Sequence, residues 1–258
     1  RKGSGSGGSH GGHGADSKYL GSTNAAYFSG YPSGGDAHGS AVSPWAFGSG
    51  GGGYCNAEYS EANSGCPLST SGGSGGGRIS LVAGSVLTLS DGATVSANGD
   101  DGASYSGTTW NYNSAFTVGS GGGAGGSIQL HANVIEGQAA VQTNGGDGGY
   151  GAGAGSGGRI ALHAAVNASW NLAIESTGGE SHNTLLAAGS AGTIYRSIAS
   201  RTYLQINNQD RDYVAADLYT PYPDELQVVT AALTQFDISQ AAHVEVTDTQ
   251  SVFAHVMK

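Results

Sequence analysis

Apolar residues alternate with polar or small ones, with a period of two, through Ile79-Ser80-Leu81, Ile128-Gln129-Leu130 and Ile160-Ala161-Leu162, with Ile194-Tyr195 as a shorter copy, and again at Leu87/Leu89 and Val95/Ala97. That period sets alternate side chains on opposite faces of an extended chain, so each stretch predicts a half-buried β-strand. The first four are copies of one unit, because each follows a glycine-rich run: GGSGGGRISL, GGGAGGSIQL, GAGSGGRIAL and GSAGTIY. With Gly77, Gly126, Gly158 and Gly192 as markers, the copies stand 49, 32 and 34 residues apart, a repeat without a fixed module length. The segments that follow, SVLTLSDGATVSANGDDG, NVIEGQAAVQTNGGDGG and NASWNLAIESTGGE, repeat as well. No stretch predicts a helix.

Three regions follow from this pattern. Residues 1–76 form a Gly/Ser/Tyr-rich leading region whose aromatics, Tyr27, Phe28, Tyr31, Trp45, Phe47 and Tyr54, predict an ordered cap or lateral flap, with a flexible linker as the alternative. Residues 77–197 hold the repeated strands, interrupted at 103–120 by an aromatic-bearing loop of a length that usually covers or contacts something. From 198 to 258 glycine gives way to better-spaced strands, TYLQINN, ELQVV, LTQFDI and AHVEVTDT, which either continue the same stack or make a small β-domain.

Composition narrows the class. With 48 Gly in 258 residues and 11% charged residues, the chain departs from an ordinary globular mixture, yet 38% apolar content supports a lean core. A net charge of -10 opposes binding to nucleic acid or to an anionic membrane surface, since both need clustered basic residues. No apolar run approaches the roughly 18 residues of a spanning helix, so no membrane insertion is expected. The chain opens at Arg1 without a signal peptide, which reads as a mature fragment of something larger. Cys55 and Cys66 close a short loop and are expected to form a disulfide, worth about 3 kcal/mol by chain entropy, against a reading as buried thiols. Asn167-Ala168-Ser169 is an acceptor sequence for N-glycosylation at Asn167. Together with the scarcity of lysine, these features point to an extracellular, secreted or cell-surface location.

The ordered succession GGSHGGHG, YPSGGDAHGSAVSPWAFGSGGGG, GGGRISLVAGSVLTLSDGATVSANG, GGGAGGSIQL, GSGGRIALH and AGTIYRSIASRTYLQINN resembles the glycine-rich repeat regions of very large secreted or cell-surface proteins of bacteria and protists. The likeness covers nearly the whole chain and weakens after about residue 215. It implies an all-β fold, a right-handed parallel β-helix (β-solenoid) with long glycine-rich loops, and an extracellular adhesive or structural role without catalysis. In such a stack Ile79, Ile128, Ile160 and Ile194 form one ladder and Leu81, Leu130 and Leu162 another, about 4.8 Å apart. For segments 119–126 and 149–158 a local alternative is polyproline-II-like helices packed side by side.

Candidate chemistry is sparse. Three positions beyond Asn98, Asn144 and Thr177 stand Asp101, Asp147 and Glu180, a ladder of turn carboxylates that either point into water or bind Ca²⁺ as a cofactor. His131 and His163 share a position and read as an exposed pair rather than a transition-metal site; His10, His13 and His38 match no zinc spacing. Arg78 and Arg159 follow the glycine runs and are expected to hydrogen-bond loop carbonyls. No nucleophile-base constellation stands out, so no enzyme is expected. Trp45, Trp110 and Tyr112 could face a ligand, with packing under loops as their other role. The expectation is a non-catalytic segment of a surface or filament protein whose partners are other segments or copies of the assembly, and glycans. The alternative is a carbohydrate-binding or polysaccharide-acting (lyase- or hydrolase-like) β-helix.

Overall fold

The glycine runs and the Ile-x-Leu strands form two different kinds of extended structure joined end to end. The structure is a computed structural model and describes residues 2–3, 5–17, 33–56, 68–108, 115–166, 171–182, 188–199, 201–207 and 235–239. Among the described residues the regular elements are strands: β1 (Lys2–Gly3), β2 (Tyr54–Asn56), β3 (Leu68–Thr70), β4 (Arg78–Val82), β5 (Val86–Ser96), β6 (Ser104–Thr108), β7 (Ala115–Gly119), β8 (Ser127–Ala132), β9 (Val134–Gln142), β10 (Arg159–Ala164), β11 (Ala173–Glu175), β12 (Thr193–Ile198), β13 (Arg201–Asn207) and β14 (Gln235–Ser239).

The four Ile-x-Leu strands lie side by side in one six-stranded sheet of order β14-β13-β12-β10-β8-β4. Ile79 pairs with Ile128, Ile128 with Ile160 and Ile160 with Ile194, all in parallel. Their return strands form a second, three-stranded parallel sheet, β11-β9-β5. Apolar side chains of both sheets meet in one core in which Ile128, Leu130, Ile135, Val141, Ile160 and Leu162 are fully buried. Strand β5 carries a bulge between Leu89 and Ala93, where Gly92 adopts φ +74°, a region that L side chains rarely enter.

This is not the right-handed parallel β-helix expected above. The six-stranded sheet is mixed, since β13 runs antiparallel to β12, and β1-β2-β3 and β6-β7 are separate antiparallel sheets. Among the described residues the parallel strands do not close into coils of sheet. The cause lies in the glycine runs, which a β-helix would have to accommodate as further strands or loops and which instead make a lattice of their own.

That lattice is legible in the hydrogen bonds of residues 119–126. Going along the segment, Gly121, Gly122 and Gly123 donate to Gly52, Gly153 and Asp100, and Ala124, Gly125 and Gly126 donate to Ser49, Ser156 and Ala97. The donors thus address three neighbouring segments in rotation with a period of three. The carbonyls of Gly119, Ser120 and Gly121 accept from Gly5, Gly149 and Gly73, and those of Gly122, Gly123 and Ala124 from Gly8, Gly146 and Gly76, again in rotation. A β-strand bonds to two neighbours in a plane; six neighbours addressed with a three-residue period define a polyproline-II-type helix in a hexagonal bundle. Three of the surrounding segments run parallel to it, their paired residue numbers rising together with its own, and three run antiparallel, their numbers falling as its own rise. The close approach requires glycine: a Cβ on Gly121, Gly122 or Gly123 would collide with the carbonyl of Ser6, Gly146 or Ser74, one on each side.

Candidate functional surface

Residues 33–49 cross the outer face of the six-stranded sheet as a strap, and polar side chains from the strands hold it. The Arg159 guanidinium, buried at the start of β10, donates from Nε to the His38 carbonyl (2.9 Å) and from Nη1 to Thr193 Oγ1 (3.3 Å). Ser127 Oγ donates to the Ala46 carbonyl (2.6 Å), and His163 Nε2 donates to that of Val42 (2.9 Å). Arg159 therefore bonds a loop carbonyl as its position after the glycine run suggests, whereas the equivalent Arg78 stacks its guanidinium 3.2 Å over the Trp45 ring. Trp45 Nε1 donates to Ser43 Oγ (2.9 Å), and the ring stays 56% exposed, with Phe47 two residues on also exposed.

Beneath the strap, fully buried His10 donates from Nδ1 to the Gly125 carbonyl (2.8 Å) and lies 5.0 Å from the His38 ring. Desolvation lowers its pKa to about 4, and the nearby charge of Arg159 acts in the same direction. The rings of His131 and His163 sit 5.7 Å apart, and that of Tyr195 continues the row at 5.7 Å from His163. Burial also pushes the His163 pKa down. Its Nε2 donates to the Val42 carbonyl, and the two tilted rings pack beside each other on the outer face of the sheet.

The acidic positions stand above one another, and a carboxylate oxygen of Asp101 and one of Asp147 each accept a backbone N–H from the next position. Asp101 Oδ1 accepts the Asp147 backbone N–H (2.8 Å), and Asp147 Oδ1 accepts that of Glu180 (2.7 Å). One helical turn earlier Asn98 Oδ1 accepts from Asn144 N (2.8 Å) and Asn144 Oδ1 from Thr177 N (3.0 Å); one turn later Ser104 Oγ accepts from Tyr150 N (2.9 Å). Side-chain oxygens at every third residue thus take the N–H groups that face outward at this edge of the glycine bundle, where a seventh helix would otherwise be needed. No group of three or more His, Cys, Asp or Glu positioned for a metal ion occurs among the described residues.

On the opposite side, two adjoining shallow depressions of about 360 and 500 Å³ lie over the three-stranded sheet at the β5 bulge. Asp91, Thr94, Gln138 and Asn171 supply their polar groups and Leu172 an apolar one. Asn171 N donates to the Gly137 carbonyl (3.0 Å), where Gly137 has φ +113°. Nothing in the sequence pattern flagged this groove, because the bulge that opens it is a property of pairing between β5 and β9.

Of the remaining sequence-derived positions, Cys66, Asn167, Trp110 and Tyr112 lie outside the described residues, as does the side chain of Cys55 in β2. Among the described residues no helix is long and apolar enough to cross a membrane. Comparison with protein-family models, with characterised proteins and with solved structures finds no match to this chain.

Proposed function

We propose that this chain is a non-catalytic structural and adhesive segment of an extracellular surface or filament assembly. The observation that carries the reading is the hexagonal hydrogen-bond network around residues 119–126, in which one segment exchanges backbone bonds with six others. Such a lattice is stiff because neighbouring backbones hold every face of the central helix, and it uses few side chains that a catalytic site would need. The exposed Asp101, Asp147 and Glu180 give the bundle an acidic edge. The cysteine pair, the sequon at Asn167 and the shortage of lysine favour the outside of the cell. Antibodies raised against the folded chain test the location: they should label intact source cells. Labelling that requires permeabilisation overturns the reading.

A glycan-binding role is the second reading, and the exposed Trp45 ring favours it. Its edge is tied to Ser43 and Arg78 lies over it, so the ring is pre-set as a stacking platform. Affinity electrophoresis on a panel of polysaccharides distinguishes the two readings. Retardation of the native chain that Trp45→Ala abolishes supports glycan binding, and unretarded migration on every polysaccharide supports scaffold.

A further inference from the structure

Among the described residues both sheets end at the same side of the molecule, in β4 and β5, and the end layer is built like the interior ones. Ile128 and Leu130 are fully buried between layers, whereas Ile79 and Leu81, at the same positions of the repeat, are only half-buried. Val82 is 72% and Val86 47% exposed. Among the described residues strand β4 pairs with β8 alone, and the bonds Ser127 N–H to Gly77 and Ala83 N–H to His131 show which of its residues face that neighbour. They are the odd-numbered ones. The N–H and C=O groups of Arg78, Ser80 and Val82 therefore point to the open edge.

Exposed edges normally carry a bulge, a proline or an inward charge that blocks pairing. β5 has such protection, with its bulge and the exposed Asp91-Gly92 pair. β4, Arg-Ile-Ser-Leu-Val, has none of them.

We propose that two copies of this chain associate through β4, antiparallel about a twofold axis at Ser80, so that the two six-stranded sheets and their cores become continuous. This partner deepens the reading of a self-assembling surface segment, and it rests on strand geometry rather than on location. An antiparallel pair centred on Ser80 matches Arg78 with Val82 of the partner subunit, so each of the three outward-facing residues exchanges both its backbone bonds. With the axis normal to the sheet, core face meets core face, and the half-buried Ile79 and Leu81 lie against Leu81 and Ile79 of the partner subunit. Arg78, Ser80 and Val82 share the outer face. The exposed Val82 of each copy then covers the Arg78–Trp45 stack of the other, which joins two of the most exposed apolar side chains in the molecule. The glycine bundles come to lie at opposite ends, which keeps the acidic edges of two chains of net charge -10 apart.

Sedimentation equilibrium on the intact chain reads the association directly. The expected mass is about twice the 25.5 kDa of one chain at tens of micromolar protein. Val82→Lys, at an exposed outer position, and Ser80→Pro, which removes an N–H that faces away from β8, should each raise the dissociation constant at least about tenfold with far-UV dichroism unchanged. Ser80→Cys should form a disulfide-linked dimer on oxidation beyond any seen with the parent chain, since residues opposed at a twofold in a hydrogen-bonded pair stand about 5.5 Å apart at Cα. A single-chain mass at about 100 μM, open-ended growth into larger species, or a dimer that Val82→Lys leaves unweakened overturns the proposal; the antibody test of location is unaffected by any of these.

Discussion

Replacing Gly123 by alanine should strongly destabilise the glycine bundle. A methyl group on Gly123 would be placed 2.0 Å from the Ser74 carbonyl oxygen, with the Gly73 carbonyl at 2.9 Å. An ordinary contact needs more than 3.4 Å, so the 71–77 segment would have to retreat by over an ångström. It cannot do so without straining the bonds Gly73 N–H to Gly121 and Gly76 N–H to Ala124, at 2.9 and 2.8 Å. Overpacking of this kind costs about 1–3 kcal/mol, and two lost backbone bonds add about 1 kcal/mol each. The expected loss is about 3–5 kcal/mol, a large share of the 5–15 kcal/mol typical of a folded domain. Gly77→Ala is the control: a methyl there meets nothing within 4 Å, so restriction of the unfolded chain should make it neutral or stabilising by up to about 1 kcal/mol. Equilibrium urea unfolding followed by tryptophan fluorescence measures both. Equal midpoints for the two variants would refute the hexagonal-contact argument, because then proximity of backbones would not be what selects glycine.

Acidification probes His10. The unfolded chain protonates this residue near pH 6.5 and the folded chain only near 4, so its contribution is complete above pH 6.5 and declines as pH falls, by on the order of 3 kcal/mol at pH 4. His163, also depressed by burial, acts in the same direction; urea midpoints from pH 7 to 4 should show a slope that shrinks in His10→Gln. At the acidic edge, Asp147→Ala should cost about 1 kcal/mol through the lost acceptor for Glu180 N–H, while Asp147→Asn, which keeps an acceptor oxygen, should be nearly neutral in thermal melts. If instead Asp147→Asn is as damaging as alanine and added Ca²⁺ raises the melting temperature of the native chain alone, the carboxylate serves a cation rather than a backbone N–H.

The alternation around Ile79, Ile128, Ile160 and Ile194 is enough to place those residues on the core face of matching strands, because period two has one structural meaning once one face must be buried. The three-residue spacing from Asn98 to Asp101 and from Asn144 to Asp147 is visible in the chain as well, and it is the pitch of the helix those residues occupy. What the residue order does not contain is where the glycine runs go. A glycine has no side chain to state a preferred face, so the same run is compatible with a loop, a β-rung or a three-fold helix. The choice falls to the number of neighbours that other parts of the chain bring alongside. Around 119–126 there are six, and only a three-fold helix can bond to them all. For the same reason a β-helix was a natural expectation from the strands and a wrong one for the molecule: strands announce themselves by side chains, whereas the bundle is built from main-chain groups that every residue shares, and only assembly in three dimensions gives them a direction.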